Sequence, residues 1–594
     1  MARATARSTA PFPRIDFPAE AESCTCGAAL QSYKSRTRTV VTLAAGTFEA
    51  REFLEQCTRN PWGCPVQGSQ ALAGVVKAHQ RLGYDVIVQV GLARYLGSKQ
   101  REEIRAELRQ QRGIALSSGT VSALADRFLL YVELLHHERA SALREALHGG
   151  YALHLDATCE HGKGGLFVCM DGLRQWVLVA GRIASEHKDH LEPLVKKTVA
   201  LFGDPVATMR DMGEGGAGAV QFLAQRGIPD LICHYHFLGA VGTKLFDEPY
   251  TLLRKVLQRT GLRTELHTLL RTLRRYRDAD QDEQRFGSGT VRENLPALVL
   301  WIVDGTAKKD LCFPFSLPHF ELVRRCHQAP SHAEHWVAPS RTQPEWRALR
   351  HLASLLARLD RDERIPATVK LLESRWQAFS ELRDVLRLTN ADLPGGDQRS
   401  QQKTLPALEL CRLKEIETAV KRYQADLERR LTAIPAEQRK PSSEAIILKY
   451  FKRYGAHLFG HPALYDEDGS ILGLVERTNN TPEHFFGQSK QRLRRRLGRA
   501  HLGHDLAQQP AQAALVQNLR HADYVSVLCG SLDNLAVCFA ALDKHHVSIQ
   551  ASLHRDHRDS KLLRRIRALI KHDLAAAPVP APLPSETETA AIVF

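Results

Sequence analysis

Apolar and polar positions follow two rhythms along this chain. Within 151–236, short apolar runs at 151–157, 166–170, 176–180, 206–209 and 231–233 are closed by turn residues. Runs of that length between turn residues predict strands. Gly162-Lys163-Gly164-Gly165 and Asp171-Gly172 supply the first two turns. Ser185 caps a predicted helix with Leu191, Leu194, Val195, Thr198 and Phe202 on one face, ended by Asp204-Pro205. A second helix is predicted over 214–226 and closed by Gly227. The order βββαβαβ predicts a mixed sheet with helices on both faces.

Elsewhere the rhythm is helical. Residues 75–148 read as helices divided at Gly97-Ser98 and Gly113. Residues 246–472 are mainly helical, with loops such as 390–403 and no persistent strand alternation. One clear helix is predicted over 478–498 and a further helical region over 506–574. The Pro- and Ala-rich ends, 1–22 and 575–594, predict disordered tails.

At 594 residues the chain exceeds a single usual core. Its formal net charge of +15 favours a polyanionic partner, though a basic enzyme meeting nucleic acid only incidentally fits charge alone equally well. The longest apolar run noted, 297–303, is too short to cross a bilayer, so no membrane role is expected. The first 14 residues lack the apolar stretch of a secretory signal. Twelve cysteines in so long a chain do not indicate a disulfide scaffold. The expected compartment is the cytoplasm, nucleoid-associated if the source is bacterial.

Three acids stand out. Asp156 and Asp211 end predicted strands one and four, and Glu483 opens the predicted helix 478–498. A sheet of this order sets the ends of those strands side by side, at the edge where open α/β sheets bind ligands. A lone aspartate there is most often a turn or cap; two on neighbouring strands favour metal ligation. Asn479, Asn480 or Thr481 can cap the last helix. At 100° per residue, Glu483, Gly487, Lys490 and Arg494 share a face, beside a stripe of Phe486, Leu493 and Leu497. Arg495 adds charge around it, and the alternative is a solvated basic helix with a capping glutamate. Carboxylates suit hard ions, and two Mg²⁺ or Mn²⁺ can clamp an in-line displacement at phosphorus.

These motifs resemble the DDE transposases of the Mutator-like type and their bacterial insertion-sequence relatives. The resembling residues are Leu155-Asp156-Ala157-Thr158, Asp211-Met212-Gly213, Cys233-His234-Tyr235-His236 and Arg477-Thr478-Asn479-Asn480-Thr481-Pro482-Glu483. The resemblance implies a ribonuclease-H-like core split by a helical insertion, and strand cleavage and joining at transposon ends. It assigns catalysis and two Mg²⁺ to Asp156, Asp211 and Glu483, and places the family's C-x-x-H signature on Cys233 and His236 as active-site support. Glu476 is the competing third acid, outside the motif. A homodimer or higher oligomer acting on terminal inverted repeats and target DNA is expected. Two other readings stay open: a nuclease of the same fold without strand transfer, and a domesticated DNA-binding protein with a dead core.

Two modules precede the acids. Cys24, Cys26, Cys57 and Cys64 flank 37–43, which alternates like a ribbon strand. Four thiolates suit structural zinc, although both Cys gaps depart from the usual two residues; reduced structural cysteines are the alternative. Helices at 99–112 and 118–135 fit a helix-turn-helix carrying Ser117, Ser118, Thr120 and Ser122 to DNA, although such helix pairs are common. The whole is a multidomain α/β chain: tail 1–22, zinc-ribbon-like module 23–74, helix-turn-helix-like domain 75–150, core 151–245 and 473–505, insertion 246–472, helical region 506–574 and tail 575–594.

Overall fold

The computed structural model describes residues 12–160, 163–279, 290–304, 313–336, 343–388, 406–435, 442–466 and 468–545. The expected turn at Gly162, the loop 390–403, the end of the helical region at 546–574 and the tail 575–594 lie outside the described residues. The chain forms two compact units, Met1–Leu135 with Cys529–Phe594, and His136–Leu528.

The first unit opens with strands β1 (Arg14–Phe17), β2 (Leu30–Thr42) and β3 (Gly46–Cys57). They form one sheet in the order β1-β3-β2. Period-two alternation puts Val40, Phe48 and Ala50 on a buried face against Leu72 and Val76. The expectation of a mobile segment over 1–22 is corrected where it is described. β1 pairs in parallel with β3, and the Glu20 carboxylate accepts from Ser69 Oγ, Gln70 N and Ala71 N at 2.8, 2.6 and 2.9 Å. Composition concealed both, because one edge strand and one cap need few apolar residues.

Those contacts cap α1 (Gln70–Val75), followed by α2 (Tyr84–Tyr95), α3 (Arg101–Arg112) and α4 (Ser118–Glu138). The predicted break at Gly113 is a left-handed C-cap at φ 66°.

The second unit begins its regular structure with α5 (Ala140–Ala146), then strands β4 (Ala152–Glu160), β5 (Lys163–Asp171) and β6 (Val177–Ile183). Helix α6 (Lys188–Phe202), β7 (Ala207–Arg210), α7 (Glu214–Ala224) and β8 (Asp230–Ile232) complete the predicted order. The sheet runs β6-β5-β4-β7-β8, antiparallel over its first three strands and parallel thereafter. His187, not Ser185, caps α6.

Helix α8 (His234–Thr260) leaves the sheet and enters a helical body. It continues through α9 (Leu262–Ala279), α10 (Thr290–Asp304), α11 (Pro318–Trp336), α12 (Gln343–Leu356), α13 (Arg364–Val385), α14 (Pro406–Ala433) and α15 (Ser443–Tyr454). Phe246, Leu266, Ile302, Val323, Leu355 and Phe379 are among its buried core residues. The expectation of no strands over 246–472 is corrected by a hairpin of β9 (Ala463–Tyr465) and β10 (Ile471–Leu474). Three- and four-residue strands are too short to show alternation.

Helix α16 (Asn480–Leu497) follows, then α17 (Gly503–Gln508) and α18 (Gln512–Leu515). Both α16 and α17 pack against β4.

Two further helices, α19 (Ala522–Cys529) and α20 (Leu535–His545), are separated by a 3-10 turn. By length and composition Ala522–Lys544 is apolar enough to cross a membrane. Within the first unit, Asp543 on α20 accepts from Tyr84 and Tyr131 hydroxyls at 2.7 and 2.6 Å and from Lys77 Nζ at 2.9 Å. Part of the expected region 506–574 thus completes the core of the N-terminal unit.

Candidate active site and metal centre

The acid site grows from strand register. β4 and β7 pair in parallel as Ala152↔Ala207, Leu153↔Thr208 and His154↔Met209. Extending that register past the strand ends brings Asp156 opposite Asp211. A cleft there is lined by Asp156, Glu186, Arg210, Asp211 and Glu214, with Gly213, Gly215 and Gly216 at the start of α7. Gly215 permits that approach, since a Cβ there would sit 1.7 Å from the Glu186 carbonyl oxygen.

Asp211 is fixed from behind. Arg210 is buried and donates from Nε and Nη2 to the two oxygens of Asp230 at 2.8 and 2.7 Å. Its Nη1 donates to the Asp211 carbonyl at 2.9 Å. A bidentate pair of this kind fixes the guanidinium plane as well as its charge.

Glu483 lies in the first turn of α16, and His236 in the first turn of α8. His236 Nε2 is 3.5 Å from Glu483 Oε1. Burial opposes charge on His236, but Cys233, Glu483 and Asp211 outweigh it and raise the ring to about 9. At neutral pH it is a cation facing a carboxylate. Burial raises Asp156 to about 7, with the charges of Glu483 and Asp211 adding to the rise and a 2.8 Å hydrogen bond from Ala157 N opposing it. Burial raises Glu483 too, against His236 and with Asp211. Glu186, an acid the sequence reading missed, is raised by burial and by Asp211. Glu476 is exposed and precedes the helix.

Asn479 is one of the three candidate caps of this helix. It occupies the N-cap position but makes no side-chain cap bond, and it is fully buried. Its Nδ2 donates to Leu155 O at 2.9 Å, next to Asp156, and its Oδ1 meets His154 Nδ1 at 3.1 Å. Its backbone N–H donates to Cys233 Sγ at 3.2 Å. One residue thereby joins the three elements that carry Asp156, His236 and Glu483. Because Nδ2 is the donor, Oδ1 accepts, and His154 holds its proton on Nδ1. Burial lowers His154 to about 4 and keeps it neutral. Gly172 makes room for this ring, since a Cβ there would lie 2.2 Å from Nε2. His154 lies one strand period before Asp156, a signal that alternation alone could have supplied.

The basic face of α16 begins beside the acids. Lys490 is partly buried, and Arg494 and Arg495 are exposed. Arg494 Nε donates to Ala500 O at 3.3 Å, so part of its fork is held near the helix end.

In the first unit, Cys24, Cys26, Cys57 and Cys64 bring one ligand atom each within 4.8 Å of one another, and could hold a metal such as zinc. Among the described residues this is the one such group of His, Cys, Asp or Glu. The unusual gaps have a local cause. A turn bonded from Gly27 N to Cys24 O at 2.8 Å, with Gly27 at φ 79°, folds the first pair. The longer second gap is drawn in by Asn60, whose Oδ1 accepts from Gly63 N and whose backbone N–H donates to Cys57 Sγ, at 2.9 and 3.3 Å. Cys26 and Cys57 sulfurs lie 3.5 Å apart. The Cys26 backbone N–H, against burial and with the neighbouring thiols, lowers Cys24 to about 6, while the hydrogen bond to Cys24 and burial raise Cys64 to about 12, so without a cation the four sulfurs share their protons rather than standing as four thiolates.

The helix-turn-helix hydroxyls are engaged locally. Ser117 Oγ accepts from Thr120 N at 3.0 Å and meets Thr120 Oγ1 at 2.8 Å, capping α4. Ser118 bonds Glu102, and Ser122 Oγ accepts from Arg101 Nη1 at 3.2 Å. Ser118 and Ser122 thus tie α4 to α3, while Ser117 and Thr120 cap α4.

No protein-family model matches the chain, and no curated protein matches it in sequence.

Proposed function

We propose that this chain is a DDE transposase with a ribonuclease-H-like core, which binds transposon-end DNA and catalyses its metal-dependent cleavage and transfer. The observation that carries the reading is the gathering of Asp156, Asp211 and Glu483 from distant positions around one sheet edge, with Asp156 raised to about 7 by burial and by its fellow acids. Crowded, partly desolvated carboxylates favour either protons or a divalent cation. The donors are all hard oxygens, which fit Mg²⁺ or Mn²⁺. The mixed sheet order and the helical body between β8 and α16 agree with the resemblance in the motifs.

Bound divalent ions would neutralise the phosphodiester, acidify the attacking hydroxyl and stabilise the leaving oxygen. The protein's own groups do the rest. Asp156, Asp211 and Glu483 would hold the ions. His236, cationic at neutral pH, keeps Glu483 ionised and oriented. Arg210 fixes the backbone of Asp211. Lys490, Arg494 and Arg495 supply charge for the phosphates beyond the cut. Zinc at the four cysteines would order the N-terminal module, which together with the α3–α4 pair serves end recognition.

The test uses DNA carrying the sequences that flank the gene, incubated with the full chain and Mg²⁺ or Mn²⁺. Cleavage leaving 3′-hydroxyl ends, followed by joining to target DNA, supports the proposal. Cleavage without joining indicates the nuclease reading. Binding without cleavage under both metals indicates a dead core.

A further inference from the structure

We infer that the outer face of α9, continued by the end of α8, is a docking surface for the phosphodiester backbone of duplex DNA. This rests on the proposed function but concerns a surface in the helical body, which the acid site does not use. α9 divides cleanly. Leu262, Leu266, Leu269, Leu270 and Leu273 are buried in the helical core. On the other side Arg263, His267 and Arg271 recur every four residues, and Arg274 and Arg275 continue the exposed face. Four residues rise about 6 Å, so the cations form a line rather than a cluster. Arg254 on α8 joins it, since Arg254 and Arg263 both act on His319.

The line is not neutralised from within. Glu265 on α9 is taken by Arg358 at 2.6 Å. On the neighbouring elements Glu321 pairs with Arg325 at 2.9 Å and Asp362 with Arg364 at 2.6 Å. Among the described residues, Arg254, Arg263 and Arg271 form no ion pair with a carboxylate; Arg271 donates to Thr268 Oγ1 at 3.1 Å. Two histidines register the resulting field. His267 is held below its ordinary value by burial and then by Arg263 and Arg271, and His319 by burial and then by Arg263 and Arg254. A row of exposed guanidinium groups set along one helix face, each able to fork onto two phosphate oxygens, fits a regular polyanion better than the irregular acids of a protein surface.

The experiment is a salt series with the full chain and an arbitrary duplex of about 40 base pairs, read by fluorescence anisotropy. The triple variant R254E/R263E/R271E is expected to bind at least tenfold more weakly at 0.1 M salt. The slope of log affinity against log salt should fall by about two to three, near 0.9 per lost phosphate contact. R254Q/R263Q/R271Q should lose a similar slope with an unchanged thermal transition, and decides the matter if charge reversal unfolds the protein. An unchanged slope in a folded variant overturns the inference, as does loss of affinity for a poly-glutamate peptide but not for DNA. Asp156→Asn separates the two proposals. If it binds with the wild-type slope yet still cuts, the catalytic reading fails while the docking surface stands. If it is dead and the glutamine triple variant binds normally, the docking surface alone fails.

Discussion

Replacing Asn479 by Ala tests how the site is held together. The side chain is fully buried and bonds Leu155 O and His154 Nδ1 at 2.9 and 3.1 Å. Truncation leaves a buried imidazole N–H without its acceptor, at about 1–3 kcal/mol. Loss of the bond to Leu155 O adds about 1 kcal/mol. The expected weakening is about 2–4 kcal/mol, confined to the β4–α16 junction. Hydrogen exchange followed by mass spectrometry reads this locally. Peptides covering 152–158 and 479–490 should exchange roughly 30- to 700-fold faster, at a tenfold change per 1.4 kcal/mol. Asn480→Ala, one residue along and partly exposed, should change exchange less than threefold. The reasoning is refuted if Asn479→Ala exchanges as slowly as Asn480→Ala. It is also refuted if the loosening spreads evenly over the second unit, because the clamp would then not be local.

Further outcomes follow from the same structure. Metal analysis of the purified chain should find about one zinc, lost in Cys26→Ser/Cys57→Ser; full zinc retention in that variant excludes the four-cysteine site. Asp156 is raised to about 7, so the folded protein without metal binds extra protons and loses stability as pH rises from the ordinary carboxylate range toward 7. Mn²⁺ should therefore raise the melting temperature more at pH 8 than at pH 5.5, and Asp156→Asn should erase that difference in a calorimetric scan. His236 has the opposite sign: raised to about 9, it contributes stability that is complete below its ordinary value and lost as pH climbs through 9. His236→Ala should flatten the melting profile over pH 7–10 and lower cleavage more than it lowers stability; normal turnover in the folded variant removes His236 from the site.

Much of the acid site was legible because it depends on strand order. The βββαβαβ pattern predicted which strand ends adjoin, and the parallel register delivered Asp156 beside Asp211. Glu483 was reachable from its place in the first turn of a helix. What stayed hidden depends on which buried atom meets which. Asn479 looks like any N-cap in sequence, because a cap and a clamp use the same amide, and only burial against β4 distinguishes them. Glu186 belongs to the cleft because Gly215 lets α7 approach its carbonyl, a relation between two elements rather than a motif. The hairpin of β9 and β10 was too short for alternation to register. The return of α20 to the N-terminal unit is a contact between chain ends, which no local pattern encodes.

On the proposed function, Asp156, Asp211 and Glu483 perform the chemistry while other surfaces bind DNA. The most direct measurement compares binding and cutting of transposon-end DNA by Asp156→Asn, Asp211→Asn, Glu483→Gln and Glu476→Ala in Mg²⁺ at fixed salt. The first three should bind within about threefold of wild type yet cut at least about a thousandfold more slowly, since each removes a ligand that the others cannot replace. Glu476→Ala should bind and cut normally. Normal cleavage by Glu483→Gln with a dead Glu476→Ala contradicts the assignment of the third acid, and normal cleavage by all of the first three contradicts the mechanism itself.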